Sequence, residues 1–202
     1  MTTDNYLIEL GLVSTSGQAS RHFASVVPSL SHVGPVASDF VETTWQELNT
    51  PSELSNNLRG GVFEILIGVV LVKFGIKPFY RQAEVTFVNN ARFDFLLWEG
   101  GWNPIALSIK TSLRERYKQA ELEAGALKNV HRKSENYLVT VSESEVLTRR
   151  RKLEDSSQFT NLDLLVLANK AEFDELIKYL QSKTFAEVEK VSPMANNHVI
   201  SD

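Results

Sequence analysis

Hydrophobic and polar positions follow three rhythms along this chain, and each rhythm marks a type of element. At the front, apolar residues recur at steps of three and four, as on one face of a helix. Residues 4–13 and 18–27 read as two short helices separated by Ser14-Thr15-Ser16-Gly17. Residues 38–48 read as a third, with Phe40, Val41, Trp45 and Leu48 on its apolar side. Pro51 opens the next element, Ser52-Glu53 suit a helix start, and the helix runs towards Phe74 and stops at Gly75. Gly60-Gly61 mark where that helix would break, or where backbone could approach a ligand closely. The rhythm then shortens. Runs 84–88, 93–98 and 104–110 are separated by Asn89-Asn90 and by the turn-rich Glu99-Gly100-Gly101-Trp102-Asn103, which predicts a three-strand meander.

After the meander the helical step returns. Leu113, Tyr117, Ala120, Ala124, Leu127 and Val130 form an apolar stripe, with Thr111 or Ser112 able to cap its start. Two apolar runs, 136–141 and 163–168, read as buried strands, and the polar stretch 142–160 between them as a helix plus a loop. Residues 172–183 close the fold as a helix with Phe173, Leu176, Ile177 and Leu180 inward. The fold class this predicts is α/β: a mixed central sheet flanked by helices, with a helical N-terminal part. Residues 1–50 would pack on a core of 51–189, and 190–202 would form a tail.

Composition narrows the chemistry. A length of 202 residues suits one domain. A net charge of −4 argues against a diffuse nucleic-acid coater, although basic residues cluster locally at 114–118, 128–133 and 149–152. There are no cysteines, which removes disulfides, thiolate metal sites and cysteine nucleophiles. The four histidines show no zinc-binding spacing. The start Met-Thr-Thr-Asp-Asn does not resemble a signal peptide, and the longest apolar run, 62–72, holds Glu64 and is too short for a membrane span. The expectation is a cytoplasmic protein with no membrane partner.

The residues that carry chemistry lie between 93 and 123. Asp94 sits inside the apolar run Phe93-Asp94-Phe95-Leu96-Leu97-Trp98, where a carboxylate is costly unless something compensates it. The following run, Ile105-Ala106-Leu107-Ser108-Ile109, ends on Lys110. A hairpin would bring Asp94 and Lys110 together at one sheet end, with Ser108 and Lys110 on one strand face. Such a carboxylate can hold Mg²⁺ through hard oxygen contacts, and a neighbouring lysine can orient a water or neutralise developing charge. The helix that follows would present Arg114, Glu115 and Arg116 in its first turn. Arginine forks onto guanine and glutamate accepts from cytosine, so this cluster suits G·C pairs. Lys118 adds charge for phosphates.

The string Ser108-Ile-Lys110-Thr-Ser-Leu-Arg114-Glu115-Arg116-Tyr-Lys-Gln119 closely resembles the active-site and recognition segment of type II restriction endonucleases of the EcoRII/PspGI group, within the PD-(D/E)xK nuclease superfamily. The resemblance implies a restriction-endonuclease-like core. It makes Asp94 the first metal ligand and Lys110 the catalytic lysine. In that group a second metal-binding acid has moved from the strand onto the next helix, thirteen residues after the lysine. Residue 123 here is Glu, and Ser108 holds the vacated strand position. Glu64, the only acid in its apolar helix, matches a supporting glutamate. By the same resemblance Arg114, Glu115 and Arg116 read CC·GG parts of a palindromic target. The chain departs from the pattern in having Phe93 where a proline is usual, and in separating Asp94 from Lys110 by only sixteen residues. The expected function is Mg²⁺-dependent, sequence-specific cleavage of double-stranded DNA by a homodimer. The alternatives are a repair or structure-specific nuclease of the same superfamily, and a catalytically degenerate DNA-binding module.

Overall fold

The computed structural model describes residues 4–50, 54–100, 102–114, 116–156 and 160–188. Pro51 to Glu53, Gly101, Glu115 and the expected tail 190–202 lie outside the described residues.

Among the described residues seven α-helices, a short 3-10 turn (Leu30–His32) and five strands occur, the helices and strands in the order α1 (Asn5–Glu9), α2 (Gln18–Val26), α3 (Ala37–Leu48), α4 (Asn56–Lys73), β1 (Tyr80–Ala83), β2 (Phe93–Glu99), β3 (Asn103–Ile109), α5 (Arg116–Val130), β4 (Glu135–Thr140), α6 (Glu143–Ser156), β5 (Leu164–Leu167) and α7 (Ala171–Gln181). The strands form one mixed sheet in sequence order. β1, β2 and β3 pair antiparallel as a meander, while β3, β4 and β5 run parallel. α5 is the crossover between β3 and β4, and α6 the crossover between β4 and β5, since parallel neighbours need such a return.

Side-chain alternation along the strands sorts the molecule into layers. Odd-numbered residues of the central strands, among them Phe95, Leu97, Ile105, Leu107, Tyr137 and Val139, join one core with α2, α3, α4 and α7. Leu96 and Ala106 pack with Leu127 of α5, and Leu138 packs with Leu113, Tyr117, Ala120 and Ala124. Asp94 and Ser108 share the even parity of Leu96, Ala106 and Leu138, and Lys110 follows directly after β3.

α4 is the central helix of the first layer. From Val62 to Val72 every residue but Glu64 is buried, so its apolar surface goes all the way round. It passes very close to the sheet at Gly68, where a Cβ would come within 2.9 Å of Leu12 and 3.2 Å of Phe95. Gly60 and Gly61 do not break it. The N-terminal segment buries Leu7, Leu12, Phe23, Phe40, Val41 and Leu48 in the same core. Asp174 of α7 ties α3 down by accepting from the Ser38 N–H at 3.0 Å and from the Ser38 hydroxyl at 2.5 Å.

Ser55 caps α4, its hydroxyl accepting from the Leu58 N–H at 3.2 Å. Ser55→Ala is expected to cost about 1 kcal/mol, the usual worth of such a cap. Thermal denaturation would show this as a midpoint lowered by about 2–4 °C, and an unchanged midpoint would show that the cap contributes nothing.

Two boundaries differ from expectation. The first strand of the meander is Tyr80–Ala83, not 84–88. Residues 84–91 form turns instead: Phe87 and Asn90 take positive φ (67° and 58°), and the Val88 N–H returns to Val85 O. The apolar run was real in composition, but Phe87 is 67% exposed and pairs with no strand. The second difference is the start of α5. It begins at Arg116, with the first helical bond from Tyr117 N–H to Leu113 O at 2.8 Å. Thr111, Ser112, Leu113 and Arg114 therefore form a connecting turn. No helix among the described residues is long and apolar enough to cross a membrane.

Candidate active site

The site forms where the carboxyl ends of the parallel strands meet, the usual location of a ligand crevice in an open α/β sheet. Lys110 lies one residue past β3, and its N–H bonds to Val139 O at 3.0 Å, which extends the ladder by one step. Asp94 is the second residue of β2. The antiparallel register that sets Phe95 opposite Leu107 brings Asp94 beside the same strand end. The short hairpin implied by the sixteen-residue spacing is therefore present.

Asp94 is buried, and its cost in an apolar strand is offset by three donors. Oδ2 accepts from the Ile109 N–H at 2.7 Å and from Lys110 Nζ at 2.6 Å. Oδ1 accepts from Gln82 Nε2 at 3.2 Å. The same Gln82 amide donates to Glu64 Oε2 at 3.1 Å, so one side chain links two carboxylates. Gln82 does this from a left-handed backbone, φ 48°, a conformation uncommon outside glycine and often found at functional positions. Arg81 Nη2 stands 3.7 Å from Glu64 Oε2. Burial, and then the charge of Asp94, push the Glu64 carboxyl above its ordinary value; Arg81, Lys110 and Gln82 act against that rise.

Glu123 reaches the same neighbourhood from α5. It is buried, and Gln119 Nε2 donates to its Oε1 at 2.8 Å. Burial raises its carboxyl most and Asp94 adds to the rise, whereas the Gln119 bond and the charges of Lys110 and Arg116 lower it. Glu64 and Glu123 thus each lie within electrostatic reach of Asp94 and Lys110.

The donor chemistry fits a hard divalent cation, because clustered carboxylates supply oxygen ligands and need positive charge. In this structure that charge comes from Lys110 and Arg81, and each acid is closed on a protein donor. Among the described residues no group of three or more Asp, Glu or His converges in metal-holding geometry. Gln82 holds Asp94 and Glu64 together, Lys110 holds the other oxygen of Asp94, and Gln119 holds Glu123.

A cleft of about 1070 Å³ opens over these groups. Its walls include Asn56, Asn57 and Gly60 of α4, Gln82, Asp94 and Lys110 in the centre, and Thr111, Ser112, Arg114, Arg116 and Gln119 opposite. Arg114, 88% exposed, and Arg116 therefore face the cleft as the sequence reading expected, although Arg114 precedes α5 instead of opening it. Glu115 lies outside the described residues. Lys118 is exposed on α5 but is not a lining residue. Ser108 is buried and does not line the cleft either. Glu123 sits behind Gln119 and not at the wall.

Three participants escaped sequence reading. Gln82 and Gln119 are uncharged and gave no signal. Glu145, at the start of α6, lines the cleft and grips the turn after Lys110. Its Oε2 accepts from the Leu113 N–H at 2.6 Å and its Oε1 from the Ser112 hydroxyl at 3.0 Å, with Arg114 Nε 3.7 Å away. Burial works to raise the Glu145 carboxyl, but the bonds from Leu113, Ser142 and Ser112 and the charge of Arg114 outweigh it and hold it low. The basic cluster 149–152, by contrast, is partly committed to the fold: Arg149 stacks 3.6 Å from the Tyr117 ring, and Arg150 pairs with Glu172 at 2.7 Å.

No family model, curated protein or solved structure matches this chain.

Proposed function

We propose that this protein is a Mg²⁺-dependent endonuclease that cuts double-stranded DNA at a short G·C-containing palindrome, as a type II restriction enzyme does. The observation that carries this reading is the Asp94–Lys110 pair at the strand ends, with Glu64 and Glu123 around it, at the floor of a cleft whose wall bears Arg114 and Arg116. The resemblance of residues 108–119 to the EcoRII/PspGI group supports it from the sequence.

A divalent cation held by Asp94 and Glu123, with Glu64 in support, would polarise the scissile phosphate and acidify a water. Lys110 would leave Asp94 for the phosphate and attacking water, holding the water in line and countering charge as it develops. Arg114 and Arg116 would reach base edges in the major groove, with Glu115 accepting from a cytosine amino group. A palindromic target calls for two-fold symmetry, hence a homodimer. Two features favour a second reading, a DNA-binding module without catalysis: Lys110 is closed on Asp94 at 2.6 Å, and Phe93 stands in place of the usual proline.

The deciding experiment is a digest of unmethylated phage DNA with purified protein and Mg²⁺. Discrete fragments whose ends map to one short G·C-containing site are expected. Fragments without a common site would move the assignment to another nuclease of the superfamily. Retention of DNA without any cut, under Mg²⁺ or Mn²⁺, would establish the binding module.

A further inference from the structure

We infer that Glu145 sets the sequence specificity of this site without touching DNA, by fixing the turn that carries Arg114. The inference rests on the proposal that the cleft holds duplex DNA.

A carboxylate in the wall of a cleft meant for phosphates is electrostatically unfavourable, because it repels the backbone it must admit. Its position therefore needs another reason, and the geometry supplies one. Three consecutive residues of the turn address the one carboxylate: Ser112 through its hydroxyl, Leu113 through its N–H, and Arg114 through its guanidinium. The same turn is anchored at two further points. The Lys110 N–H is bonded to Val139, and the Leu113 side chain is buried in a cluster with Val146, one residue after Glu145. Lys110 and Leu113 are thus tied to β4 and α6, and Arg114 is the first residue to leave the anchored stretch.

Base reading by a bidentate arginine depends on the placing of its backbone, since a flexible stem loses more entropy for each hydrogen bond formed. The parallel topology explains why the anchor comes from Glu145. β3 and β4 end on the same side, so the turn after β3 and the first turn of α6 after β4 emerge next to each other. Glu145 is a positioning residue that acts through Ser112 and Leu113. Its own charge lowers the affinity for DNA of any sequence.

This gives opposite signs for two measurable quantities, which a merely structural role would not. Binding would be measured with the full-length chain in chelator, so that the duplex stays intact. One 20-base-pair probe would carry the site mapped in the digest, and a second would have its G·C pairs replaced by A·T. Glu145→Ala is expected to reduce the ratio of the two affinities about tenfold or more, while affinity for the second probe stays level or rises. Glu145→Asp keeps the charge but is too short to hold both Ser112 and Leu113. It should lose the ratio with no gain on the second probe, and it guards against misfolding of the alanine variant. Glu145→Gln keeps an acceptor and should retain most of the ratio.

A wild-type ratio in Glu145→Asp, or an equal fall on both probes in Glu145→Ala with its circular dichroism unchanged, would overturn the inference while leaving the nuclease reading in place. Wild-type protein whose digest yields no fragments, or fragments without a common site, would overturn both.

Discussion

Lys110→Ala protein is expected to fold normally and to release no fragments from DNA that the wild type digests. Its rate should fall by at least about 10²–10³-fold, the effect of removing one preorganised charge from a phosphoryl-transfer site. Folding should survive because Asp94 keeps two of its three donors, the Ile109 N–H and the Gln82 amide. The variant should still bind its target, since Arg114 and Arg116 are untouched. A digest with time points from seconds to hours, run beside circular dichroism and gel-shift measurements, covers all three statements. Cleavage within threefold of wild type would remove Lys110 from the chemistry, and with it the main support for the nuclease reading. An arginine replacement is no substitute: guanidinium is bulkier and planar, and does not reproduce the compact ammonium group 2.6 Å from Asp94.

Glu123→Gln should abolish cleavage and at the same time stabilise the protein. Burial holds the Glu123 carboxyl above its ordinary value, with Asp94 adding to the rise. In a window between the unfolded value, about 4.5, and the raised native one, the native state carries a proton that the unfolded chain does not. Stability from this group is therefore fullest below the unfolded value and falls as pH climbs through the native one. Glutamine removes the charge, and its carbonyl still accepts from Gln119. The melting midpoints of wild type and variant, measured in chelator, should coincide near pH 4 and separate above it. By pH 7.5 the variant should melt measurably later than the wild type. A variant that melts earlier at neutral pH would show that the Glu123 carboxylate is stabilised by its surroundings, contrary to the burial argument. A gain in stability with loss of activity is the usual mark of a strained active-site group. Glu64 shares the direction of shift, so the wild-type midpoint should itself slope downward with pH until both acids have ionised.

Much of the architecture follows from local pattern. The four helices of the N-terminal half, the hairpin of β2 and β3, and the two later strands appear near their expected places because each has a strong apolar period. The core residues Phe95, Leu107 and Val139 alternate with Leu96, Ala106 and Leu138 as the strand period requires. Where the pattern failed, it failed on particular interactions. The run 84–88 has strand-forming residues but no partner strand, so it became a turn and Tyr80–Ala83 took the edge of the sheet. Ser112 has the chemistry of a helix cap, but its hydroxyl donates to Glu145, and α5 starts at Arg116.

By itself the sequence determined which acid and which lysine meet at the strand ends. An acid in one apolar run and a lysine at the end of the next, joined by a short turn, leave few ways to keep Asp94 and Lys110 apart. The helical step from Leu113 to Val130 likewise put Glu123 on the helix that follows. Only the tertiary structure decided which groups hold those residues in place. Gln82 joins Glu64 to Asp94 across two layers, and Glu145 meets a turn more than thirty positions earlier in the chain. Such contacts depend on the order and direction of strands. Parallel β3 and β4 end side by side, and that pairing is set by the summed burial of the whole sheet, which no local stretch of sequence encodes.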